Sequence, residues 1–172
     1  MKKYFVFSII VFSITSANAQ QHSHNPSEAG NEIRALTSEQ INGYLNGEGM
    51  GLAKAAELNH YFGPKHVFDL ANELNMTRSQ IDSTEKIISS LKEEAIRIGK
   101  IIIEKEELLD QLFNKGNADE KSVRKLVNEI TKYKGELRFV HIEAHIKQKE
   151  ILTADQINIY DELRGYNITD QQ

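Results

Sequence analysis

The side chains with chemistry to offer in this sequence are six histidines: His22, His24, His60, His66, His141 and His145. The sharpest arrangement is His141-Ile142-Glu143-Ala144-His145. Residues four apart share one face of a helix, so these two imidazoles can reach a single divalent transition metal, with Zn, Ni, Co and Cu as candidates. The order differs from the zinc-peptidase pattern His-Glu-x-x-His, because Glu143 stands two residues after His141 rather than directly beside it. The competing reading makes both histidines solvated or hydrogen-bonded helix residues. His60 and His66 flank Gly63-Pro64, where packing around a chain corner competes with ligation. His22 becomes the third residue if the chain is cut before Gln20, and a free amine, two amides and an imidazole bind Cu(II) or Ni(II). Cyclisation of the new N-terminal glutamine would abolish that site. Met50 and Met76 are Cu(I) donors by chemistry and core fillers by base rate.

Catalysis has little to build on. Cysteine is absent, which removes thiolate nucleophiles, disulfides and iron–sulfur clusters. The serines lack a neighbouring histidine, and no glycine-rich phosphate loop follows a strand-like run. The run Glu104-Lys105-Glu106-Glu107 reads as a solvated helix face. We therefore expect a protein that is not an enzyme, with metal coordination as its only chemistry and no organic cofactor.

The elements that position these residues begin with an export signal. Lys2 and Lys3 precede a short apolar run from Phe5 to Ile14, and Ala17-Asn18-Ala19 supplies the small-x-small cleavage pattern. Residues 1–19 are thus expected to be a cleaved signal peptide, 20–35 a disordered tail, 36–166 one helical domain and 167–172 a short tail. The apolar run is too short to span a bilayer of ~30 Å, and no later segment is apolar enough, so no membrane insertion is expected after cleavage. An extracytoplasmic location follows. Loss of Lys2 and Lys3 takes the basic count from 21 to 19 against 25 acidic side chains, moving the formal charge from −4 to −6. An acidic chain of this kind is a poor nucleic-acid binder.

Within the domain a short signature recurs: Leu36-Thr37-x-x-Gln40-Ile41, Met76-Thr77-x-x-Gln80-Ile81 and Leu152-Thr153-x-x-Gln156-Ile157. Each pattern matches a capping box with a hydrophobic staple, so each should start a helix at roughly 1 kcal/mol of local stabilisation. After the second copy, Ile81, Ile88, Ala95, Ile102 and Leu109 recur every seven residues, joined by Thr84, Leu91, Ile98 and Leu112. Gly116-Asn117-Ala118-Asp119 interrupts the stripe, and Val123, Ile130, Leu137, Ala144 and Ile151 resume it with Leu126, Tyr133 and Val140. Two such stripes around a short turn predict an all-α fold built on a long antiparallel helical hairpin, each arm roughly 45–55 Å long. Shorter helices are expected over residues 52–61, from Pro64 through Leu74, and from the third box to about Gly165. Ile87, Ile101 and Leu108 widen the first stripe beyond what one neighbour can cover, which predicts a homodimer.

Met76-Thr77-Arg78-Ser79-Gln80 and Leu152-Thr153-Ala154-Asp155-Gln156, placed around a helical hairpin in an exported chain, resemble the LTxxQ motif of the Spy/CpxP family. The chain is also similar to the related periplasmic heavy-metal sensor and resistance proteins, over about residues 50–165. The family motif positions here are Met76, Thr77, Gln80, Leu152, Thr153 and Gln156. The resemblance implies a four-helix protomer, a cradle-like dimer, and a role in heavy-metal resistance or envelope stress. His141 and His145 match in spacing a ligand pair that the similar sensors carry in their last long helix, with His66, Asp69 or Glu85 as less certain partners. The function implied is binding or sensing of a divalent transition metal. The alternative is an ATP-independent chaperone that binds unfolded periplasmic proteins without metal. A membrane-bound sensor or anti-sigma protein is a further implied partner. Residues 47–67, from Gly47-Glu48-Gly49 through Gly63-Pro64-Lys65-His66-Val67, depart from the N-terminal region of the family's founding members.

Overall fold

The computed structural model describes residues 33–166. The expected signal peptide, the expected tail as far as residue 32, with His22 and His24, and residues 167–172 lie outside the described residues. Among the described residues every regular element is helical: α1 (Ser38–Asn46), α2 (Lys54–Glu57), α3 (Pro64–Asp69), α4 (Arg78–Asn114), α5 (Glu120–Ile151) and α6 (Ala154–Arg164).

All three Thr-x-x-Gln signatures form capping boxes. Thr37, Thr77 and Thr153 each accept the amide of the glutamine three residues on, and that glutamine's side chain accepts the threonine amide at 2.9 Å. They start α1, α4 and α6. The fourth long start, α5, is capped by Asp119, whose Oδ1 accepts the amides of Lys121 and Ser122 at 2.9 and 3.0 Å. The Ser122 hydroxyl and amide hold the Asp119 carboxyl below its ordinary range.

α4 and α5, of 37 and 32 residues, are the long helix pair. They pack with the start of one against the end of the other: Thr84 meets Gln148, Lys105 meets Glu129, and Glu106 meets Lys134. Ala95, Ile98, Ile102, Ile130, Leu137 and Ala144 are buried along the seam, as the sevenfold stripes require. The seam is more polar than those stripes indicate, however. Glu106 is not part of a solvated face: it is buried, and Lys134 Nζ donates to its Oε1 at 2.6 Å. Glu106 lies seven residues after the buried Gly99 and four after the buried Ile102, on the same face of α4, and the aliphatic stem of Lys134 brings the ammonium to meet it.

The shorter elements lie against this pair. Ile33, Leu36 and Tyr44 join Ala95, Ile98, Ile102 and Leu137 in one apolar cluster. Gly99 permits the approach of α1, since a Cβ there would run into the Tyr44 carbonyl. A second cluster unites Phe62, Val67, Leu74, Leu152 and Tyr160, with Phe62 and Tyr160 stacked at a centroid separation of 3.8 Å. The expected helix over 52–61 shrinks to Lys54–Glu57, because Asn59 Nδ2 donates back to the Ala55 carbonyl and His60 turns left-handed at φ 62°. The helix from Pro64 ends at Asp69 rather than Leu74, and the chain leaves through a left-handed Asn75 at φ 49°.

Candidate functional site

Along α5, Leu137 belongs to the first apolar cluster, and Leu152 just beyond its end to the second. His141 and His145 lie between them. The segment over 47–63, which links α1 to α3, passes over both rings. Gly49 lies near His141: an added Cβ there would sit 4.0 Å from Nδ1. Gly63 lies beside His145, where an added Cβ would come within 3.1 Å of Nε2 and 3.2 Å of Cε1.

The two imidazoles have different surroundings. His141 is 4% exposed, and its Nε2 is buried with no hydrogen-bond partner. Burial pushes its pKa below the ordinary histidine value, and the nearby His145 adds to that push. The ring is therefore neutral at neutral pH. His145 Nδ1 lies 2.7 Å from the Tyr61 carbonyl oxygen, which can only accept, so Nδ1 carries the proton. In the neutral form of this ring, Nε2 is the lone-pair nitrogen. A backbone carbonyl fixing one ring nitrogen while the other stays unprotonated is the arrangement seen around metal-ligating histidines.

Glu57 anchors the covering segment. Its Oε2 accepts the Gly63 amide at 2.9 Å and lies 3.5 Å from His145 Nδ1. Its Oε1 accepts the hydroxyls of Tyr160 and Tyr166 at 3.1 and 3.2 Å. Burial, followed by the charge of Glu57, raises the Tyr160 pKa far above the phenol range, so this hydroxyl remains a donor. Next to it, His60 Nδ1 contacts both oxygens of the buried Asp161, at 3.0 and 2.9 Å. Lys149 Nζ stands 3.8 Å from the Tyr61 ring centroid on the outer side.

Of the candidate ligands singled out in the sequence, His141 and His145 share this site, and His60 lies beside it on Asp161. His66 is exposed on α3, Asp69 pairs with Lys65 at 3.3 Å, and Glu85 is exposed on α4. Among the described residues no group of three or more histidine, aspartate or glutamate side chains is placed to hold a metal ion. The glutamines of the second and third boxes meet instead where α4 starts and α5 ends. Gln80 Nε2 donates to Gln156 Oε1 and to the Ile151 carbonyl, both at 2.8 Å, while Gln156 Nε2 donates to the Leu74 carbonyl at 3.1 Å. Met76 and Leu152 pack beside this clasp in the second cluster.

Glu57, Tyr160 and Asp161 escaped the sequence reading. Glu57 had a visible signal, a lone acid six residues before the Gly63-Pro64 corner, but its partners come from α6, about a hundred residues away. A comparison of the chain with family models, with curated proteins and with solved structures found no match.

Proposed function

We propose that this is an exported, non-enzymatic helical protein that binds or senses a divalent transition metal through His141 and His145, in heavy-metal resistance or envelope stress. The observation that carries the reading is the buried Nε2 of His141, left without a partner. A buried donor or acceptor in that condition costs roughly 1–3 kcal/mol, a cost retained where the atom has another use. One turn away, His145 presents a lone-pair Nε2 in a tautomer fixed by the Tyr61 carbonyl. Metals take imidazoles in the neutral form, and the i, i+4 spacing of the two rings suits one ion. Water, or ligands from a second copy, would complete the coordination. His66 takes no part in this set.

The likeness of the boxes at Thr77 and Thr153 to those of the Spy/CpxP family supports a periplasmic setting and a homodimer. Leu108 is 39% exposed, on the flank it shares with Ile87 and Ile101, as a surface awaiting a partner would be. Calorimetry with Zn²⁺, Ni²⁺ and Cu²⁺ tests the metal reading on the chain from Gln20. Saturable heat lost in a His141→Ala/His145→Ala variant is expected; equal heats from the two proteins would refute it. Light scattering tests the dimer, which a monomeric mass would exclude.

One observation favours a second reading. α5 shows solvent a stripe that includes Phe139, 60% exposed, and Ile146, 41% exposed, and Phe113 at the end of α4 is 61% exposed. Apolar surface of this kind suits capture of unfolded clients by a metal-free chaperone. Suppression of aggregation of a reduced client would support it, and no effect at stoichiometric excess would remove it.

A further inference from the structure

We infer that the groove between α1 and α5 is a binding site for an uncharged, largely apolar small molecule that offers a hydrogen-bond acceptor to the Tyr44 hydroxyl. The site uses neither histidine of α5 and needs no metal. Its shape, an unpartnered phenol inside it and the balance of charge around it carry the inference.

The shape follows from how α1 is seated. α1 leans on α4, where Gly99 admits the Tyr44 carbonyl, and leaves a groove of about 600 Å³ between itself and α5. The apolar lining is Leu137, 2% exposed, the half-buried Leu52, and Met50, which is 41% exposed at the mouth. Met50 lies over Gly43, whose missing Cβ leaves room for Sδ. Small-molecule sites run roughly 300–1,000 Å³ and are mostly apolar with a few placed polar groups, and this groove has that make-up.

The phenol is the polar group with a bond still to make. Tyr44 is 8% exposed and lines the groove, yet its hydroxyl has no hydrogen-bond partner among the described residues. Burial raises its pKa above the ordinary phenol value, an effect that Lys134 opposes and Glu106 reinforces, so the group is a neutral donor at neutral pH. Thr37 and Gln40, also in the lining, are joined to each other in the first capping box, with backbone-to-side-chain bonds of 2.9 and 3.1 Å. A ligand oxygen that accepts from Tyr44 would satisfy a donor that the fold leaves unmet.

Charge selects the class of ligand. Lys134 Nζ is held on the buried Glu106 carboxylate at 2.6 Å, and Glu39 stands exposed at the rim. An anion would meet Glu39 and Glu106, and a cation would meet the Lys134 ammonium. An uncharged molecule meets neither penalty.

Three naphthalenes of similar shape separate these effects. 2-Acetylnaphthalene carries a carbonyl acceptor, 2-ethylnaphthalene has none, and 2-naphthoate is an anion. Each is titrated into the full mature chain with ¹³C-labelled methyl groups, so that Met50, Leu52 and Leu137 report on the groove. 2-Acetylnaphthalene should give saturable shifts at all three residues and bind about tenfold tighter than 2-ethylnaphthalene. 2-Naphthoate should bind more weakly than 2-acetylnaphthalene. Tyr44→Phe removes one oxygen and keeps the ring, so it should erase the preference for acetyl over ethyl and leave the affinity for 2-ethylnaphthalene unchanged. Should that variant fail to fold, the order of affinities on the wild-type chain decides. No saturable shift at Met50, Leu52 and Leu137, equal affinities for the acetyl and ethyl compounds, an acetyl preference that survives Tyr44→Phe, or tightest binding of 2-naphthoate would each overturn the inference.

Discussion

Replacing His141 with leucine should stabilise the protein, a result opposite to that of nearly every other substitution at a buried position. The side chain is 4% exposed and its Nε2 has no partner, so the fold carries an uncompensated desolvation of roughly 1–3 kcal/mol. Leucine removes the polar atom and keeps most of the volume, against a packing mismatch of up to about 1.5 kcal/mol. The net expectation is a gain of about 1 kcal/mol at pH 7.5, or a rise in Tm of about 4 °C for a domain of this size. The pH dependence sharpens the test. His141 has a folded-state pKa below its unfolded value, so below pH 6.5 the unfolded chain binds a proton that the folded chain resists. The stability it affects is fully present above pH 6.5 and falls as pH drops from there toward the folded pKa, by at most about 1.4 kcal/mol per pH unit. The advantage of the leucine variant should widen over that window. Urea unfolding followed by circular dichroism at pH 7.5, 6.5 and 5.5 measures both effects. A variant less stable than wild type by over 1 kcal/mol at pH 7.5, with an unchanged pH slope, would show that His141 has a partner and that this reasoning is wrong.

Three further outcomes follow from other parts of the fold. Gln156→Ala should cost about 2–3 kcal/mol in urea unfolding, because it strands the Leu74 carbonyl and Gln80 in a buried place. Gln40→Ala, in an exposed box that bonds only to Thr37, should cost about 0.5–1 kcal/mol, and equal costs would refute the distinction. Lys134→Met should destabilise by roughly 1–3 kcal/mol by leaving the Glu106 carboxylate buried without its cation. Pairing it with Glu106→Leu should restore most of that loss, and additive losses in the double-mutant cycle would contradict the seam described here. Asp119→Ala should lower Tm through loss of the α5 cap, by about 1 kcal/mol of stability, while Asp119→Asn should be close to wild type.

The parts of this fold that were legible in the sequence are those with a local cause. Three Thr-x-x-Gln boxes start three helices because the cap needs only four residues to close its hydrogen bonds. The long pair was legible because a sevenfold apolar repeat admits few other outcomes. The end points of the short helices were not, since Asn59, His60 and Asn75 stop them through turn conformations that many sequences can adopt or avoid. Glu106 was misread as solvated because its charge hides a position that Lys134 makes tolerable from 28 residues away. At the candidate site, spacing alone brought out His141 and His145. It could not reveal that Gly49 and Gly63 lie over them, nor that Glu57 ties that cover to Tyr160 and Tyr166, because those contacts join distant parts of the chain.

The central claim is that two imidazoles on one face of α5 take up a metal. It is tested most directly by ¹⁵N-resolved NMR of the histidine rings during Zn²⁺ titration of the mature chain. Without metal, His145 should show a protonated Nδ1, as its contact with the Tyr61 carbonyl dictates. On titration the Nε2 resonances of His141 and His145 should shift together and saturate at one ion per chain, or per two chains if the ion is shared. Unmoved rings at both positions in excess Zn²⁺, or shifts confined to the other histidines, would contradict the account.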